Sequence, residues 1–170
     1  RQGNQPIAEL VYTVVLRDLD YAEDLALADL EFELEGTGRL AAFEERIAEL
    51  FGDDVPERHR QDPRAVWRYV RKASSNYARA SKVLHELDPT TYSTPDTFLQ
   101  SVKARAADVS IREVVDRTFE MMARRRPGNG LAIIIDEVGQ YVGRSAEKIE
   151  DLRSLVEHFG QEGRNRVKDR

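Results

Sequence analysis

The chain has 170 residues, 41% of them hydrophobic and 34% charged, a net charge of −5 and no cysteine, a balance typical of a water-soluble domain with its own core. That composition excludes a disulfide framework and a thiolate metal site, and the three histidines, His59, His85 and His158, are too scattered to suggest a histidine one. No apolar run approaches the roughly 18 residues of a membrane span and no signal peptide is visible, so a cytoplasmic location without membrane contact is expected.

In chain order, Ile7, Leu10, Val11, Val14 and Val15 recur at helical spacing behind Pro6, which suits a first helical position. The same stretch, LVYTVVL, is β-branched and aromatic enough to form a strand instead. Next, Leu25, Leu27, Ala28, Leu30, Phe32 and Leu34 form a broad apolar face, stopped by Gly36-Thr37-Gly38. Leu40, Phe43, Ile47 and Leu50 make a second stripe, so the pair predicts a helical hairpin.

A long helix is predicted from Pro63. Val66, Val70, Ala73, Tyr77, Ala80 and Leu84 give a narrow apolar seam, while Arg64, Arg68, Arg71, Lys72, Arg79 and Lys82 fall on another face. Charge is strongly segregated here. Residues 18–57 hold fourteen acids against two basic residues, and 58–82 hold eight Lys or Arg against one acid. Two arrangements follow: the basic face pairs with the acidic half or with water, or Arg64, Arg68, Arg71, Lys72 and Arg79 meet DNA phosphates as sequence-independent anchors.

Thr94-Pro95 marks another helix start, and Ser110 with Glu113 fits the S-x-x-E capping box. The helix it opens carries Ile111, Val114, Val115, Thr118, Phe119 and Met122 and ends in Arg124-Arg125-Arg126, cations that suit a helix's negative end. After the Pro127-Gly128-Asn129-Gly130 loop, residues 131–135 read LAIII, a short apolar run of the kind found in strands buried on both faces. A loop over 138–145 and a final helix through Ile149, Leu152, Leu155, Val156 and Phe159 follow, with Gly160 at the expected end. The fold class expected is an α/β fragment, predominantly α-helical: residues 1–126 mainly helical, and 127–170 a strand, loop and helix.

The apolar run ends on two acids, Asp136 and Glu137. At the carboxyl end of a buried strand an Asp can orient Mg²⁺ against nucleotide phosphates, and a Glu beside it can polarise the attacking water. That is the Walker B pattern. Its partner is missing, because no glycine in the chain is followed by lysine and the motif G-x-x-x-x-G-K-[ST] cannot occur. Since the chain also starts at Arg1 without methionine, it is expected to be a piece of a longer protein, inactive alone as an ATPase.

The stretch IIIDEVGQYVGRSAEKIEDLRSLVEHFGQEG resembles the Walker B region of the large P-loop ATPases called BrxC or PglY, of bacterial BREX and phage-growth-limitation defence systems. LADLEFELEGTGRLAAFEERIAELFG is similar to the helical segment those proteins carry between Walker A and Walker B. The resemblance implies an AAA-like ATPase using ATP and Mg²⁺, with Asp136 as the metal-associated acid and Glu137 as the catalytic, water-activating one. It also implies partners among other phage-defence proteins and an assembly acting on DNA. A strand lacking its neighbours leaves apolar surface open, so homo-oligomers are expected too. The alternative is a non-catalytic helical module that docks protein or DNA, with the two acids structural.

Overall fold

The computed structural model describes residues 6–104, 110–143 and 145–168. All regular structure among them is helical, and no strand is present. The chain forms two compact units, one made of residues 1–20 with 108–170 and the other of residues 21–107.

The second unit begins with the expected hairpin. Helix α2 (Leu25–Gly36) opens on Asp24, whose side chain accepts from the Leu27 N–H at 3.0 Å, and α3 (Leu40–Phe51) follows. Between them Gly38 adopts φ 70°, a left-handed conformation that glycine takes at little cost. Helix α2 intersperses Asp29, Glu31, Glu33 and Glu35 among its apolar residues, of which Leu27, Ala28, Leu30, Phe32 and Leu34 are buried. After two 3₁₀ turns, Gly52–Asp54 and Glu57–His59, come α4 (Pro63–Val70), α5 (Asn76–Leu87) and α6 (Thr97–Ala104). The core collects Leu27, Leu34, Phe43, Ile47, Trp67 and Leu84, with Phe43 and Trp67 edge to face at 5.0 Å.

The single long helix expected from Pro63 is thus two helices. Residues 71–75 break it, where Ser74, Ser75 and Asn76 offer the backbone local alternatives to helical bonds. Asn76 supplies one: its Nδ2 donates to the Arg71 carbonyl at 2.9 Å, and its Oδ1 accepts from the Tyr77 N–H at 2.7 Å.

In the other unit the ambiguous LVYTVVL stretch is helical, within α1 (Ile7–Asp18). Helix α7 (Ile111–Arg125) starts where the capping box places it, with Ser110 Oγ accepting from the Glu113 N–H at 3.2 Å. Its closing arginines cap a different helix. Arg125 donates to the Leu19 and Asp20 carbonyls at 3.0 and 2.6 Å, beyond the last turn of α1, and Arg126 reaches the Asp18 carbonyl at 3.3 Å. Tyr12, Leu16, Val114, Val115, Met121 and Leu155 are among this unit's buried side chains.

The α/β expectation fails at residues 131–135. They form neither strand nor helix, and Ile134 is 92% exposed where a strand buried on both faces was expected. The physical reason is pairing: strand propensity is realised only against a neighbouring strand, and the chain's other strand candidate is spent in α1. Residues 131–136 have no backbone–backbone hydrogen bond to another described residue. Beyond them, the expected loop contains a short helix, α8 (Val138–Val142), and α9 (Ala146–Lys168) runs through Gly160 instead of ending there. Arg166 carries α9 past its glycines, pairing with Glu162 one turn back at 2.6 Å and lying 5.4 Å over the Phe119 ring. No helix among the described residues is long and apolar enough to cross a membrane.

Candidate functional site

Asp136 and Glu137 lie side by side and exposed just before α8. Asp136 Oδ1 accepts from the Glu137 N–H at 2.7 Å, so one carboxylate oxygen is engaged by the backbone. Glu137 itself holds φ 53° and ψ 28°, the left-handed region that residues with a Cβ enter at a cost of roughly 1–2 kcal/mol. Mg²⁺ takes near-octahedral oxygen coordination, completed at nucleotide sites by phosphates and water around one or two carboxylates. Among the described residues no group of three or more His, Asp or Glu stands close enough to hold a metal ion. Asp136 and Glu137 supply the one or two carboxylates that such a centre takes from its protein, and the phosphate-binding groups it also needs have no counterpart in the G-x-x-x-x-G-K-[ST] pattern of this chain.

The basic residues of α4 and α5 are divided between interior and surface. Arg71 points inward: Nη1 reaches Glu31 Oε1 at 2.8 Å, with the two side chains only 10% and 1% exposed. Glu31 also accepts from Trp67 Nε1 at 2.6 Å and from the Ala22 N–H at 2.8 Å, so both of its oxygens are satisfied. Arg79 pairs with Asp54 at 2.9 Å and covers the Phe51 ring at 4.9 Å. Arg68 and Lys72 are exposed and Arg64 is half-buried. Arg71 and Arg79 thus follow the first of the two expected arrangements, each pairing with an acid of residues 18–57. Sequence reading missed Glu31 as the partner of Arg71, although an acid within the apolar series Leu27, Leu30, Leu34 was a visible signal.

Neither did the sequence reveal a concavity in the first unit. Residues of α7, of α9 and of the segment 126–135 line an open cavity of about 1510 Å³. Its walls include Phe119, Met122, Leu131, Ile133, Val156 and Phe159, and its edge carries Arg126, Glu162, Arg164 and Arg166. Apolar exposure continues from Val156, 59% exposed, to Ile149, which is outside the lining and 50% exposed; the two are seven residues apart and so on one side of α9. Compared with known family models, curated proteins and solved structures, the chain gives no significant match.

Proposed function

We propose that this chain is a helical protein-interaction module, with residues 131–135 and the adjoining exposed side of α9 as its contact element. One observation carries the reading: an isoleucine, Ile134, stands 92% exposed in a segment without helical or strand bonding. Withdrawing such a side chain from water is worth ~1.5–3 kcal/mol, and contiguous exposed apolar surface marks interaction sites. A photo-crosslinking amino acid at position 134, in the cell that makes the protein, tests this. One discrete protein adduct, lost when Ile149 and Val156 are both changed to Ser, is expected. No adduct, or a diffuse ladder, overturns the reading.

A second reading, ATP hydrolysis in a phage-defence ATPase with Asp136 near Mg²⁺ and Glu137 near the water, rests on the resemblance of residues 133–163. The left-handed backbone at Glu137 also favours it, since such conformations gather at functional sites. It requires phosphate-binding groups and further metal ligands from outside the described residues. ATP turnover by the protein at its natural length is the test. Glu137→Gln should slow turnover more than about tenfold, ~1.4 kcal/mol, with nucleotide binding kept; unchanged turnover, or none at all in the unaltered protein, removes the reading.

A further inference from the structure

We infer that the trough between α7, α9 and residues 126–135 receives an acidic amphipathic helix of a partner protein. This rests on the interaction-module reading and adds the partner's chemistry to it. Size is the first argument. The cavity, about 1510 Å³ and open to solvent, exceeds the roughly 300–1,000 Å³ of small-molecule pockets, and its apolar walls match the mode in which a helix lays its hydrophobic face into a groove.

Charge is the second. The chain carries −5 overall, yet the edge of this trough has three arginines and one acid, Arg126, Arg164 and Arg166 against Glu162. Glu162 is matched by Arg166 at 2.6 Å. Arg126 donates to the neutral Asp18 and Arg125 carbonyls at 3.3 and 3.4 Å, and Arg164 is exposed. Two guanidinium charges therefore remain at the edge without a compensating carboxylate among the described residues. An apolar stripe flanked by Glu or Asp satisfies walls and edge together; one flanked by Lys meets repulsion at the same positions. A second copy of the chain is a poorer occupant, because the apolar side chains of its acidic helix α2, including Leu27, Leu30 and Leu34, are already buried in its own core.

Fluorescence anisotropy with two designed peptides tests the inference. Each is a helix of about five turns bearing leucines along one stripe, flanked by Glu in one and by Lys in the other. The Glu peptide is expected to bind at least about tenfold tighter, ~1.4 kcal/mol. The exposed charge reversal Arg164→Glu, alone and with Arg126→Glu, should erase or invert that preference while circular dichroism stays unchanged. Equal binding of both peptides, or of neither, overturns the inference. So does closure of the trough by a second copy, seen as a sedimenting dimer that excludes the peptide, or binding to phosphatidylserine vesicles without peptide binding. If the crosslink from position 134 persists while the peptides fail, the acidic-helix inference falls and the interaction module stands; if both fail, both fall.

Discussion

Arg71 Nη1 lies 2.8 Å from Glu31 Oε1, and the pair is held almost wholly out of water. The ion pair joins α4's end to α2, and Trp67 Nε1 binds the same oxygen. A buried pair is costly to break, because the remaining charge stays desolvated. Arg71→Met should therefore destabilise the residue 21–107 unit by ~3–5 kcal/mol, whereas Glu31→Leu with Arg71→Met should recover much of that loss. Urea unfolding followed through Trp67, the sole tryptophan, is the measurement. A cost below about 1 kcal/mol for the single variant, the level of a surface pair, would mean that the pair is solvated.

Asp88 gives this unit an acid limit. The Arg39 guanidinium at 2.7 Å, aided by the Thr91 N–H and hydroxyl, lowers its carboxyl from 3.8 to about 2. A lowered folded value contributes stability that is full above pH 3.8 and lost as pH falls through about 2. Asp88→Asn should flatten the fall in unfolding midpoint across that window. An identical acid profile in the variant would show that the contact is not maintained in solution.

Tyr77 sets the opposite limit. Burial, and then its hydrogen bond to the Asp24 carboxylate, raise the phenol well above its ordinary 10.0. Stability from this group is full below pH 10.0 and fades as pH rises towards the raised value. Tyr77→Phe should reduce the alkaline loss of stability, and ultraviolet titration should lose one late-ionising phenol in that variant, with Tyr92, which burial also raises, still ionising late. Simultaneous ionisation of every tyrosine near the ordinary value would count against it.

Much of this architecture could be read from the sequence, for identifiable reasons. The hairpin was legible because apolar spacing, the Gly36-Thr37-Gly38 stop and the positive φ at Gly38 agree. Ser110 and Glu113 fixed the start of α7 because capping is a local interaction. Residues 131–135 were misread because a strand is not local: LAIII has the composition, but none of its backbone groups finds a partner strand among the described residues. For the basic face, segregated charge made pairing with the acidic half legible, but spacing cannot tell that it is Arg71 that turns inward, onto an acid forty residues away. Of the candidate site, Asp136 and Glu137 were visible as a motif, whereas the trough depends on how α7, α9 and residues 126–135 come together in space.

Thr118 offers a test of packing in the other unit. Its Oγ1 is fully buried with no hydrogen-bond partner among the described residues, and Val114, Val115, Met121 and Met122 on the same helix are buried too. An unsatisfied hydroxyl costs ~1–3 kcal/mol relative to water, and valine has nearly the same shape without that cost. Thr118→Val should stabilise by about 1 kcal/mol and raise the thermal midpoint by a few degrees. A drop in midpoint would reveal a partner, such as a buried water, for the hydroxyl.

Glu137 combines an exposed side chain with a left-handed backbone, so its strain can be separated from its chemistry. Glycine removes the Cβ conflict, worth roughly 1–2 kcal/mol, but carries a larger entropy loss on folding of roughly 0.5–1 kcal/mol. Glu137→Gly should therefore stabilise slightly, by about 0.5–1 kcal/mol. Glu137→Gln, which keeps the Cβ, should be neutral, and Glu137→Val should destabilise because a β-branched residue tolerates this region worst. Calorimetry of the three variants gives the order Gly, Gln, Val. If glycine brings no gain over glutamine, residue 137 relaxes out of the left-handed region in solution, and the hydrolytic reading loses the one conformational observation that favours it.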